Sequence, residues 1–181
     1  MTDAEFERIE TQHGFEFADD HRAFLAAGMP VRDVGEDPPG TSRAWERPWP
    51  DWRHGDPEDL RRHLDWPIDD VVGLVEQEQL WLSTWGERPT DPADAVDSVR
   101  RFLRGVPTLV PIYAHRFLPA GRGTYGHPVL SVWRLWDMIC YGADLNDWAR
   151  LEFTDRGEGD DWPSEQWKSR ATVPFWRDYL L

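Results

Sequence analysis

Apolar residues recur at helical spacing toward both ends of the chain and form short, nearly continuous runs in its middle. Residues 3–13 place Phe6, Ile9 and His13 on one face, and Gly14 ends that pattern. Asp19 or Asp20 can cap a second helix with His21, Phe24 and Leu25 on one side, stopped by Gly28 and Pro30. Two more helices are announced by their starts, Asp56-Pro57-Glu58-Asp59 and Asp91-Pro92-Ala93-Asp94. In each, the first Asp accepts free backbone N–H groups, and Pro gives up only a donor that a helix start leaves orphaned. The first carries Leu60 and Leu64 and is predicted to stop before Pro67. The second carries Val96, Val99 and Leu103 and ends at Gly105 and Pro107.

Strand-like runs, rich in β-branched and aromatic residues, cover Val71–Val75 with Leu80–Leu82, then Leu109–Leu118, Val129–Leu135 and Trp136–Tyr141. A last helix, from about Ala143 to Phe153, sets Leu145, Trp148 and Ala149 on one face. Helices first, strands in the middle and a closing helix predict an α+β fold with a mostly antiparallel sheet, in one domain over residues 1–181. Residues 31–55, with Pro38, Pro39, Pro48 and Pro50, and residues 155–163 read as irregular.

Charge narrows the function. The chain has 34 acidic against 20 basic residues, a net charge of −14. Phosphate binding needs a basic footprint, so direct contact with nucleic acid is disfavoured, and an anionic membrane surface is disfavoured for the same reason. A basic protein partner is favoured instead, because complementary potentials speed encounter. Charge of this size also serves solubility alone. The single cysteine, Cys140, sits in the apolar run Met138-Ile139-Cys140-Tyr141 and is expected to be buried and inert. The N-terminus has no basic start followed by an apolar stretch, and no run of about 18 apolar residues occurs, so a cytoplasmic setting is expected.

Motifs for chemistry are weak. Gly121-Arg122-Gly123-Thr124-Tyr125-Gly126 matches G-x-G-x-x-G, but Val129-Leu130-Ser131-Val132 follows where a dinucleotide site needs a helix, so a loop between strands is expected. None of the six histidines forms H-E-x-x-H or joins a C-x-x-C set, and no metal or cofactor is expected. His115 lies inside a strand-like run, and an enzyme reading would need His115, Arg116 and Asp137 to converge in one pocket. The acidic pairs Asp19-Asp20, Asp69-Asp70 and Asp160-Asp161 read as surface acids.

The 12 tryptophans divide by setting. Trp81, Trp133, Trp136 and Trp148 lie in or beside regular elements and are expected in the core. Trp45, Trp49, Trp52 and Trp85 lie in Pro/Gly-rich stretches, where they form either a contact surface or a small second core. The candidate partner-binding set is therefore Trp45, Trp49, Trp52, Asp69, Asp70, Glu76, Glu78 and Trp85.

An ordered set of blocks carries a resemblance. Gly14-Phe15, then Asp20-His21-Arg22 through Phe24-Leu25-Ala26-Ala27-Gly28, open it. Pro50-Asp51-Trp52-Arg53, Asp56-Pro57-Glu58-Asp59-Leu60 and Trp85-Gly86-Glu87-Arg88-Pro89 follow. Val110-Pro111-Ile112-Tyr113, His115-Arg116, His127-Pro128-Val129-Leu130-Ser131-Val132 and Tyr141-Gly142 complete it. In this order the chain resembles the SUKH superfamily, which includes a yeast regulator of cell-wall synthesis and many bacterial immunity proteins. The resemblance implies a bent antiparallel sheet flanked by helices, with no catalytic residues carried over. It further implies a monomer or weak homodimer that binds and neutralises a secreted toxin, often a nuclease or deaminase. The alternative is an intracellular regulatory scaffold with an unrelated protein partner. Trp133-Arg134-Leu135-Trp136 departs from the pattern, where relatives carry a smaller, more polar step, and Val72–Glu76 is a looser match.

Overall fold

The structure, a computed structural model, describes residues 1–30, 49–154 and 173–181. It is α+β: among the described residues, five α-helices pack on an open four-stranded antiparallel sheet. Helices α1 (Asp3–His13) and α2 (Asp19–Ala27) come first, followed by α3 (Pro57–Glu76) and α4 (Pro92–Leu103). Strands β1 (Leu109–Tyr113), β2 (Arg116–Pro119), β3 (Val129–Val132) and β4 (Met138–Gly142) form a simple meander, and α5 (Leu145–Phe153) follows.

Helix α1 starts on a capping box, in which Thr2 and Glu5 satisfy each other's backbone N–H groups, and ends on Gly14 at φ 75°. Asp56 and Asp91 cap α3 and α4 as their sequences predict. Asp19 and Asp20 do not cap α2, whose N-cap is Ala18. Their carboxylates reach across to the β2–β3 loop instead: Asp19 accepts from Gly123 N at 3.0 Å and Asp20 from Gly126 N at 2.9 Å. Two amides of the G-x-G-x-x-G stretch, which would face phosphate in a nucleotide site, are thus held by the protein's own carboxylates, in the expected loop between strands. Buried Glu10 completes this clamp, accepting from Phe17 N at 3.0 Å, Arg22 at 3.1 Å and Arg122 at 2.6 Å.

Helix α3 corrects two expectations. It does not stop before Pro67, and Val71–Val75 is its last stretch, not a strand. An interior Pro removes the hydrogen bond to the His63 carbonyl and costs about 3 kcal/mol. Continuing the helix buries Pro67, Val71, Val72 and Val75, each worth roughly 1.5–3 kcal/mol for the larger side chains, so burial wins. Leu80–Leu82 is likewise not a strand. The run Leu109–Leu118 is two strands, turning at Ala114-His115 with Ala114 at φ 45°.

The sheet is covered on both faces, which explains its unbroken apolar runs. Leu109, Phe117, Leu130, Val132, Met138 and Cys140 pack with α3, α4 and Trp176. Ile112, Leu118 and Val129 pack with Leu145 and Trp148 of α5. Gly142 lets α5 approach β4: a Cβ there would lie 2.8 Å from Trp148 backbone atoms. A further cluster of Phe6, Ile9, Phe15, Phe17, Leu25 and Trp52 joins α1 and α2 to Val110 of the sheet.

His21 lies wholly inside the protein, edge-on to Phe17 at 5.0 Å, with neither ring nitrogen hydrogen-bonded. Burial lowers its pKa from 6.5 to about 3. The unfolded chain therefore binds a proton near pH 6.5 that the folded chain refuses until about pH 3. Stability from this site is full above the upper value and declines as pH falls between the two, by up to about 1.4 kcal/mol per pH unit. Urea unfolding of His21→Phe across this range is expected to show a shallower loss than wild type. Parallel curves would contradict a neutral, unpaired His21.

Candidate partner-binding surface

The β1–β2 and β3–β4 turns lie at the same end of the meander, linked by Val132 N donating to the His115 carbonyl at 2.8 Å. Both are held by α3. His63 Nε2 bonds the Ala114 carbonyl at 2.6 Å, and Asp70 accepts from Leu135 N at 2.6 Å. Because a carbonyl only accepts, His63 must carry its proton on Nε2. Burial lowers the His63 pKa, against the opposing pull of this bond, so the imidazole is neutral. Positions 63 and 70 are two helical turns apart and share a face, with Trp66 between them. Trp66 lies 5.7 Å from the Trp133 ring and 6.3 Å from the His63 ring.

This clamp presents the Trp133-Arg134-Leu135-Trp136 turn. Leu135 points into the core, while Trp133 is 39% and Trp136 51% exposed. From Trp136 a chain of ring contacts crosses the surface. Trp136 meets Tyr179 at 5.8 Å, Tyr179 meets Phe175 at 5.1 Å, and Phe175 meets Phe102 at 6.1 Å. Phe102 meets Trp85 at 5.6 Å, and Trp85 meets Trp81 at 5.4 Å. Phe102 is 40% exposed and Trp81 and Trp85 are half-buried, so the band is open to a partner along its length.

Acids border the band. Asp65, Asp69 and Glu76 share a stripe of α3 next to the Trp66 face, and Glu78 follows the helix, 4.0 Å from Arg88. Partial desolvation raises the Asp69 pKa, and Asp65 and Glu76 raise it further against Arg100, which sits 4.0 Å away. Like charges at i,i+4 destabilise a helix by a few tenths of a kcal/mol. The Asp65–Asp69 pair therefore gains from any added cation.

Of the candidate contacts, Asp69, Asp70, Glu76, Glu78 and Trp85 lie on this side of the molecule. Asp70 positions the turn through Leu135. Trp85 is one ring of the band. Trp52 is a correction: at 2% exposure it is core, ringed by Phe15, Phe17 and His13. Trp49 belongs to a separate aromatic group with Phe24, Tyr113, Trp148 and Phe153. Trp45 lies outside the described residues. Trp148 is buried as expected, whereas Trp133 and Trp136 are the reverse of the core residues expected of them. Their exposure follows from the short break between β3 and β4, in which only Leu135 can face inward. The departure of this tetrapeptide from the pattern of the superfamily that the sequence resembles was the signal that could have marked it.

His115 and Arg116 serve the sheet. Buried Arg116 pairs with Glu152 at 3.2 Å, donates to Ser131 at 2.9 Å and lies 3.5 Å from the Tyr141 ring centroid. His115 stacks edge-on to Trp133 at 5.8 Å, and burial with Arg116 lowers its pKa to about 4. Asp137 is exposed in the β3–β4 turn. Cys140 is buried. Among the described residues, no helix is long and apolar enough to cross a membrane and no three potential ligands cluster as a metal site.

Compared with protein-family models, curated proteins and solved structures, the chain matches none.

Adjacent aspartates separate the clamp from the stripe. Asp70→Ala removes a charged acceptor from a partly buried amide and is expected to lower unfolding free energy by about 1–3 kcal/mol. Asp69→Asn relieves repulsion and is expected to be neutral or to stabilise by a few tenths of a kcal/mol. Equal losses in urea titrations would contradict the distinction.

Proposed function

We propose that this protein is a non-catalytic immunity-type protein that binds and neutralises a cognate secreted toxin, a basic nuclease or deaminase domain. The observation that carries the reading is the exposed aromatic band ending in Trp133 and Trp136, bordered by the acidic stripe of α3. Large aromatic side chains bury much area for little entropy loss and dominate interface energetics. A row of carboxylates under mutual repulsion suits a partner rich in Lys and Arg, of the kind that faces nucleic acid. A net charge of −14 extends the attraction beyond the patch. The ordered blocks that resemble the SUKH superfamily support the same class of function, and the cytoplasm of the toxin's target cell is the setting this function requires.

The test is calorimetric mixing of the purified protein with the toxin domain encoded by the adjacent gene. Binding is expected to weaken as salt rises. Trp133→Ala with Trp136→Ala is expected to lower affinity at least tenfold, the loss of roughly 1.4 kcal/mol or more. Asp69→Asn with Glu78→Gln is expected chiefly to slow association. Absence of binding at low salt, or affinity indifferent to both indoles, would overturn the reading.

A further inference from the structure

On the opposite side of α3 from the clamp, a cleft of about 160 Å³ opens where the end of α1, the Pro67 turn of α3 and the end of α4 meet. Its apolar lining comes from Leu64, Ile68, Val106, Leu109 and Trp176. Trp176 is fixed there by its indole N–H, which donates to the Pro107 carbonyl at 2.7 Å. A void of roughly 150 Å³ admits a molecule the size of benzene.

The charged lining is net positive, unlike the chain as a whole. Arg61 and Arg104 line the cleft with Asp65 as the single carboxylate, and burial lowers the His13 pKa and favours its neutral form. Arg61 is already engaged, 3.1 Å from Asp65 and donating to the His13 carbonyl at 3.0 Å. Arg104 follows α4, and its side chain makes no hydrogen bond or ion pair with the described residues. In a chain with 34 acids and 20 bases, Arg104 here joins a second arginine above an apolar floor. Asp65 already holds Arg61, which leaves Arg104 as the guanidinium at this cleft without an ion pair among the described residues. A carboxylate is the natural complement, because guanidinium binds it through paired donors.

We propose that this cleft binds a small carboxylate ligand with a compact apolar body, the ring or branched chain on Leu64, Ile68 and Trp176 and the carboxylate at Arg104 and Arg61. The cleft adjoins the aromatic band, since Trp176 meets Phe175 at 5.0 Å, and it shares Asp65 with the acidic stripe, but the proposal does not rest on the toxin-binding reading. The ligand is fragment-sized, below the 300 Å³ or so of drug-sized pockets.

Benzoate is the probe, with benzyl alcohol as the neutral control, followed by amide NMR on the full chain. Benzoate is expected to give saturable shifts at Gly105, Val106 and Thr108, and benzyl alcohol to bind at least about tenfold more weakly. Arg104→Gln, which removes a side chain with no partner among the described residues, is expected to weaken benzoate about tenfold without changing the melting temperature. A second readout is His13. Burial, then Arg61 and Arg8, depress its pKa against Asp65, and Arg104 shares the cleft. A bound carboxylate is expected to raise it, visible in the imidazole carbon shifts. Non-saturable shifts, equal binding of benzyl alcohol, or unchanged affinity in Arg104→Gln would each overturn the proposal.

Discussion

Two hydrogen bonds from one helix hold one end of the sheet. His63 grips the Ala114 carbonyl and Asp70 grips the Leu135 amide, each at 2.6 Å, from positions two turns apart on α3. Much else in the fold depends on this pairing. Ala114 sits at φ 45°, a conformation that L-residues adopt at a cost of roughly 1–2 kcal/mol, and its carbonyl is the one His63 holds. Leu135 enters the core only because the turn around it is anchored. The helix must be continuous through Pro67 for both groups to lie on one face, and the burial of Val71, Val72 and Val75 makes that continuity favourable.

The other end of the meander is held by a different chemistry. Glu10, Asp19 and Asp20 accept from Arg122 and from the amides of Gly123 and Gly126. Acids that would otherwise add to surface charge are spent on backbone donors there. Other acids, Asp69 and Glu76 of α3 among them, stay exposed. The acidity of the chain is thus not uniform in its role: part is structural, and part is available to a partner.

Helices with local start signals were legible in the sequence, because caps and Pro at the first helical position act within four residues. The starts of α3 and α4 follow their caps, α1 and α2 follow their apolar spacing although Asp19 and Asp20 do not cap α2, and the α+β class follows from the order of elements. The errors have a common cause. Pro67 carries a local stop signal that long-range burial overrides. Ala114-His115 lacks the Gly, Asn or Pro that usually marks a hairpin, because its strain is offset by His63, 51 residues away. Trp52, in an irregular segment, is core, while Trp133 and Trp136, beside strands, are exposed. Regularity of the backbone is a poor guide to burial here, since Trp52 packs on Phe15 and Phe17 while the β3–β4 turn projects outward. The cleft at Pro67 was not legible either, since its lining is assembled from four separate segments.

The candidate surface is therefore a consequence of the clamp. Asp70 fixes Leu135, Leu135 fixes the turn, and the turn projects two indoles next to an acidic stripe. The Leu135 amide reports on this directly by native-state hydrogen exchange. If the Asp70 bond holds the turn, that amide is protected to the same extent as the amides of β3 and β4. Exchange at the rate of an unstructured peptide would show that the turn is not anchored, and the account of how α3 shapes this surface would fail.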